Sequence, residues 1–231
     1  MTTYPISHDM LAGRTESHLA LLGGQVKLHR DVIEPFGRLQ RAAAGAGFDL
    51  QVASGFRNYQ RQLAIWNAKA EGLRPLLDSQ GNPLDSTVLD DREKALAILR
   101  WSALPGCSRH HWGSDVDLWD RAAVSADYSL QLVAAEYSPG GPFAPLSCWL
   151  ENHAGEFGFY RPYDRDRGGV APEPWHWSYR PVAEHFEAQL SRAFICKVLD
   201  NGDLKLREVI LANLDEIAAR FILPPNRETH A

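Results

Sequence analysis

The chain has 231 residues, 45% of them hydrophobic and 23% charged, with a formal net charge of −5. That is the balance of an ordinary globular protein, long enough to bury roughly 70–75% of its unfolded surface. With no basic block there is no nucleic-acid footprint, and with no run of about 18 apolar residues no membrane span is expected.

In chain order, Met1 to Gly23 interrupts its apolar residues with Asp9, Arg14 and Glu16, so it lacks the apolar core of a secretory signal. A chain complete as given is therefore expected in the cytoplasm, and a processed one in the periplasm or outside the cell. Residues 25–46 carry Val26, Leu28, Val32, Ile33, Phe36, Leu39 and Ala43 near helical spacing, which predicts an amphipathic helix closed by Gly45 and Gly47. Phe48–Val52 alternates as a strand does, and Ser54-Gly55 reads as a turn. Asn58–Ala70 reads as a helix, 72–85 as a Gly- and Pro-containing loop, and about Asp91–Ser102 as a helix stopped by Pro105-Gly106. Residues 115–118 alternate as a strand. The stretch 120–145, broken by Pro139, Gly140, Gly141, Pro142 and Pro145, reads as an insertion or surface loop. A short helix over 148–155, the run Phe157–Tyr160, a charged loop over 161–169 and a strand over 175–179 follow. Helices are predicted over 182–194 and 206–221, with Asn201-Gly202 as a turn, open to a small hairpin between Val198-Leu199 and Leu204. Short strands among helices without regular βαβ alternation predict an α+β fold.

Two segments hold most of the chemistry: Ser108-Arg109-His110-His111-Trp112-Gly113-Ser114-Asp115-Val116-Asp117 and Glu173-Pro174-Trp175-His176. Two imidazoles and one carboxylate leave the fourth position of a tetrahedral zinc site for water. His110 and Asp117 are too far apart for one helical turn, but converge if the chain turns at Gly113, which accepts positive φ. His111 competes with His110 as the ligand. Asp117 has the bland alternative of a cap or an arginine partner. Glu173 is the spare carboxylate that can serve as general base, or is a solvated surface group. An ideal strand would put residues 173 and 176 on opposite faces, and Pro174 breaks that regularity. Trp175 and Trp177 read as packing. Three cysteines, Cys107, Cys148 and Cys196, imply no disulfide framework, and Cys107 is either a buried thiol or a further ligand. His8, His18, His29, His153, His185 and His230 read as surface or satisfied interior histidines.

These motifs resemble those of the zinc D-alanyl-D-alanine carboxypeptidases, S-x-H-x-x-G-x-A-x-D and E-x-W-H. A third stretch, Ser54-Gly55-Phe56-Arg57-Asn58-Tyr59-Gln60-Arg61-Gln62, is similar to that family's S-G-Y-R-S-x-x-x-Q, with Phe for Tyr and Asn for Ser. The resemblance implies one zinc held by His110, Asp117 and His176, with Glu173 as general base and Arg57 gripping the substrate's C-terminal carboxylate. A guanidinium fork suits that task. Gln62 and Ser108 are candidates either for substrate contact or for structural duty. Asp115 stands where the family pattern has Ala, and is expected either to orient a ligand or to contact a substrate amine.

The resemblance spans roughly residues 25–181. It implies a carboxypeptidase domain over 1–181, a small and mainly antiparallel sheet flanked by helices, with a helical extension over 182–231 packed on the same domain. The expected activity is removal of a C-terminal D-alanine from peptidoglycan stem peptides or muropeptides. Two alternatives stand beside it: an L,D-carboxypeptidase acting on cell-wall tetrapeptides, and a non-catalytic zinc-containing module like the hedgehog signalling domain. The second needs neither Glu173 nor Arg57.

Overall fold

The structure, a computed structural model, describes residues 5–200 and 202–223. Its centre is a four-stranded antiparallel sheet of β3 (Leu50–Ser54), β6 (Asp115–Asp120), β8 (His176–Tyr179) and β7 (Phe159–Tyr160), in that order. Two hairpins flank it, β1 (Leu19–Gly23) with β2 (Val26–His29), and β4 (Leu76–Leu77) with β5 (Pro83–Leu84). Strand β6 explains why one sheet serves both core and site. Its period of two turns Val116 and Leu118, both fully buried, into the hydrophobic core. Asp115 and Asp117 therefore share the other face.

The α+β arrangement is the expected one, and several boundaries shift. The helix predicted from residue 25 begins at Arg30, because Val26–His29 pairs with Leu19–Gly23 instead. Its buried stripe of Val32, Phe36, Leu39 and Ala43 follows the predicted period. The first predicted strand starts two residues later, at Leu50. The helix Tyr59–Ala70 is capped by Asn58, and the helix Asp91–Trp101 by Asp90 with a reciprocal bond from Glu93, a pattern that closes the exposed amides of the first turn.

The stretch 120–145 is more than a surface loop. Tyr137 and Phe143 are buried with Trp175 in a second apolar cluster, and the Tyr137 hydroxyl donates to the Leu118 carbonyl at 2.9 Å. The predicted helix over 182–194 is two helices, Arg180–Glu187 and Arg192–Leu199, broken by a turn. Val198 and Leu199 are helical, which rules out the hairpin; Asn201 of the expected turn, His230 and Met1–Tyr4 lie outside the described residues. Phe186, Phe194, Ile195, Val198, Ile210 and Ile217 belong to the same core as the sheet.

His18 and His29 are buried beside one another and Phe186. Burial pushes both imidazoles down to about 4 and His111 to about 3. The unfolded chain binds protons near 6.5, so the folded state holds fewer of them in between. Stability is full above pH 6.5 and falls as pH drops toward 4, by up to about 3 kcal/mol for each of His18 and His29. Urea midpoints of chelator-treated protein should decline across that window, and His18→Leu should flatten the decline. A flat wild-type profile would contradict it.

Candidate active site

The Ser54–Arg57 segment and the short 3-10 helix Arg109–Trp112 clasp each other. Arg57 N–H donates to the His110 carbonyl at 3.1 Å, and His110 Nδ1 bonds the Gly55 carbonyl at 2.9 Å. A Cβ at Gly55 would lie 2.9 Å from the Lys27 carbonyl oxygen, so glycine allows this close approach. With Nδ1–H donating, the His110 Nε2 lone pair points into the site. Gly113, at φ +71°, then turns the chain into β6.

Antiparallel pairing sets Asp117 opposite His176 and Asp115 opposite Ser178. His110 Nε2 is 3.4 Å from Asp117 Oδ2, and His176 Nδ1 is 3.4 Å from Asp117 Oδ1. The three side chains are buried, and their ligand atoms lie within 4.8 Å of one another. Atoms bonded to one tetrahedral zinc stand roughly 3.3 Å apart, so the spacing fits a shared cation. Two further observations agree. Asp117 Oδ1 is buried and no hydrogen bond reaches it. Burial alone would lower His176, yet the carboxylates of Asp115, Asp117 and Glu173 raise it well above the usual imidazole range. Burial would likewise raise Asp117, but the imidazoles of His110 and His176 hold its carboxyl far down. The cluster is built around positive charge.

Glu173 reaches the same point. A turn through Pro174-Trp175, in which His176 N–H donates to the Glu173 carbonyl at 3.2 Å, precedes β8. Strand geometry therefore does not apply to residues 173–175, and Trp175 lies before the strand rather than in it. Glu173 Oε2 stands 3.2 Å from His176 Nδ1, and its side chain is 13% exposed at the rim.

His111 is placed elsewhere. Its Nε2 accepts from Gly106 N–H at 3.0 Å and its Nδ1 bonds the Arg57 carbonyl, so both nitrogens brace loops. Cys107 is buried, burial pushes its thiol up to about 12, and it is not among the clustered ligand atoms.

Arg57 lies within electrostatic reach of Asp117 and Glu173. Burial lowers its pKa, and those two carboxylates oppose the shift. Its Nη1 donates to Gln62 Oε1 at 2.9 Å and its Nη2 to Ser54 Oγ at 3.2 Å, leaving other donors of the five-donor fork for a ligand. Gln62 is fully buried and donates in turn to the Ala103 carbonyl at 2.7 Å, so it holds Arg57 and does not face substrate. Ser108 is buried at the start of the 3-10 helix, where its carbonyl accepts from His111 N–H.

The expected substrate contact by Asp115 is corrected. The side chain is fully buried behind His176, and its Oδ1 accepts from His176 Nε2 at 2.8 Å and from Arg109 Nε at 2.8 Å. Its Oδ2 accepts from the hydroxyls of Ser114 and Ser178. Asp115 thus fixes the tautomer that turns His176 Nδ1 toward Asp117, the usual work of a carboxylate behind a metal-binding histidine.

Three neighbours escaped the sequence reading. Tyr163 packs its ring 5.0 Å from that of His176. Arg109 anchors Asp115. Lys69 is pushed down to about 8 by burial and by Arg74, with Glu173 opposing. Its position three residues past the buried Trp66 and seven past Gln62, on one helix face, is the signal that marks it.

The chain matches the D-alanyl-D-alanine carboxypeptidase family VanY over residues 25–182. An uncharacterized protein of Haemophilus influenzae is 43% identical over 103 residues, 43% of this chain and 70% of that protein. The crystal structure of a point variant of the vancomycin-resistance D,D-pentapeptidase VanY, from a VanB-type cassette and in complex with Zn(II), is 25% identical. It superposes with a TM-score of 0.51 over 76% of this chain and 88% of that one. VanYB in complex with D-alanine-D-alanine shares the fold, at 22% identity and a TM-score of 0.52 over 91% of both chains. The chain belongs to the VanY family of D-alanyl-D-alanine carboxypeptidases.

Proposed function

We propose that this protein is a zinc carboxypeptidase that removes the C-terminal D-alanine of peptidoglycan stem peptides. The observation that carries the reading is the meeting of His110, Asp117 and His176 with a carboxylate outside that set, Glu173, and a guanidinium, Arg57, within electrostatic reach of both carboxylates. His110 Nε2, Asp117 and His176 Nδ1 would hold the ion. When bound, zinc supplies Lewis acidity toward a water and a carbonyl.

The chain's own residues do the rest. Arg57 binds the terminal carboxylate, and so selects the last peptide bond over internal ones. Glu173 Oε2 accepts a proton from the attacking water and returns it to the departing amine of D-alanine. Asp115 and the Gly55 carbonyl keep the two imidazoles in their ligating tautomers.

Mass spectrometry of purified pentapeptide and tetrapeptide muropeptides incubated with zinc-loaded protein tests the reading. Loss of one alanine from the pentapeptide is expected, and the tetrapeptide arm reports any L,D activity. No product from either would refute it. Zinc content tests the ligand set: His110→Ala should lose stoichiometric metal, while His111→Ala and Cys107→Ser keep it. Metal retained by His110→Ala but lost by His111→Ala would overturn the assignment.

A further inference from the structure

We propose that the helix running past the end of the family-matched segment is part of the metal centre: Glu187, acting through Arg109 and Asp115, is a positioning residue for His176 and sets how tightly the site holds its cation. The match to the family ends at residue 182, and Glu187 closes the helix Arg180–Glu187. The inference rests on the proposed zinc site and adds to it a determinant from outside the family's span.

The connection is continuous. Arg109 Nε donates to Asp115 Oδ1 at 2.8 Å, the same oxygen that accepts from His176 Nε2 at 2.8 Å. Arg109 Nη2 donates to Ser178 Oγ at 2.8 Å, and Ser178 donates to Asp115 Oδ2 at 3.0 Å. The far side of the guanidinium is fixed by Glu187: Nη1 donates to Glu187 Oε1, and Nη2 to Tyr160 Oη at 2.8 Å, whose hydroxyl donates to the same Glu187 oxygen at 3.1 Å. Trp112 lies under the guanidinium at 4.9 Å and is stacked on Phe186 of the same helix.

The chemistry explains why such an arrangement is needed. Asp115 is 0% exposed, and a buried carboxylate is tolerated only with full pairing. A single Arg109–Asp115 pair leaves the guanidinium able to swing. The second carboxylate, on the opposite edge, fixes its plane, and the plane of Arg109 fixes Asp115. Lysine has one charged point and no fork, so it cannot bridge Asp115 and Glu187. Arg109 and Glu187 also line a cavity of about 420 Å³ with Tyr160 and Tyr163, so a substitution at Glu187 meets open space rather than packed core.

The test is the zinc Kd of the whole 231-residue chain, measured by competition with a chromogenic chelator, beside the urea midpoint of each chelator-treated variant. Asp115→Asn should weaken zinc by about 10–100-fold, the usual cost of losing the partner behind a ligating histidine. Arg109→Lys and Glu187→Gln should each weaken it by roughly 3–30-fold, at the lower part of that scale because they act one bond further away. Asp215→Asn, an exposed carboxylate of the same C-terminal region paired with Arg192, should leave it unchanged. At saturating zinc, KM for a D-alanine-terminated peptide should not move, because none of these groups meets substrate.

Should Arg109→Lys fail to fold, Glu187→Gln and Tyr160→Phe carry the test, since each removes a contact at the cavity edge without leaving a buried charge. Wild-type zinc affinity in both, with intact apo-protein, would end the relay at Asp115 and overturn the proposal. Wild-type protein that holds no zinc would overturn the proposed function instead, so the two failures are distinguishable.

Discussion

Arg57→Lys should lower kcat/KM on D-alanine-terminated peptides by about 10–150-fold, the rate equivalent of the 1.5–3 kcal/mol carried by a hydrogen bond to a charged partner. The positive charge survives the substitution; the planar fork does not. Arg57 is preset for its task. Gln62 and Ser54 hold one edge of the guanidinium, and its backbone is tied on both sides to the helix carrying His110. An ammonium on a flexible stem inherits none of that orientation. The companion measurement uses a substrate whose C-terminus is amidated. Wild-type activity should fall steeply on it, whereas Arg57→Lys should lose little more, because the contact is already gone. Equal wild-type turnover of free and amidated peptides would mean that the enzyme does not read the chain end, and the carboxylate clamp would be refuted.

The parts of this molecule legible in the sequence are those whose chemistry is local. Gly113 announces a turn, Asn58 a helix start and Asp117 a carboxylate on a strand, and the structure bears out each placement. His110, Asp117 and His176 come from two motifs: register between β6 and β8 sets Asp117 opposite His176, and the 3-10 helix before Gly113 brings His110 to them. What depends on partners distant in sequence was not legible. Val26 and Leu28 alternate as a strand does, but they run directly into the helical stripe that starts at Val32, and the pairing with Leu19–Gly23 is what separates the two. Tyr137 and Phe143 sit in a Pro- and Gly-broken stretch that reads as surface, and only Trp175 makes them core. Asp115 left two roles open, and its neighbours Ser178, His176 and Arg109 decide between them. The choice between His110 and His111 has the same origin: adjacent imidazoles look alike in a string, and the Gly106 amide and Arg57 carbonyl claim the second one.

Glu173→Gln should bind zinc as the wild type does, keep its fold, and turn over D-alanine-terminated peptides about 10²–10⁴-fold more slowly. The zinc expectation follows from the ligand set, in which Glu173 does not stand. Persistence of the fold follows from its backbone: its N–H donates to the Tyr163 carbonyl at 3.0 Å and its own carbonyl accepts from His176 N–H, contacts that a glutamine side chain leaves alone. The rate expectation follows from position. Glu173 Oε2 lies beside His176 Nδ1 at 3.2 Å, on a side chain that is not fully buried. A carboxylate there can take a proton and give it back; a carboxamide of the same size can do neither. The variant therefore removes proton transfer while leaving shape and metal in place. Product-analogue binding should be little changed, since Arg57 still holds the carboxylate. The measurement is kcat beside dipeptide affinity and zinc content on one preparation. Full activity in Glu173→Gln at full zinc occupancy would remove Glu173 from the mechanism. A drop in kcat that tracks lost zinc would assign it to the metal set instead.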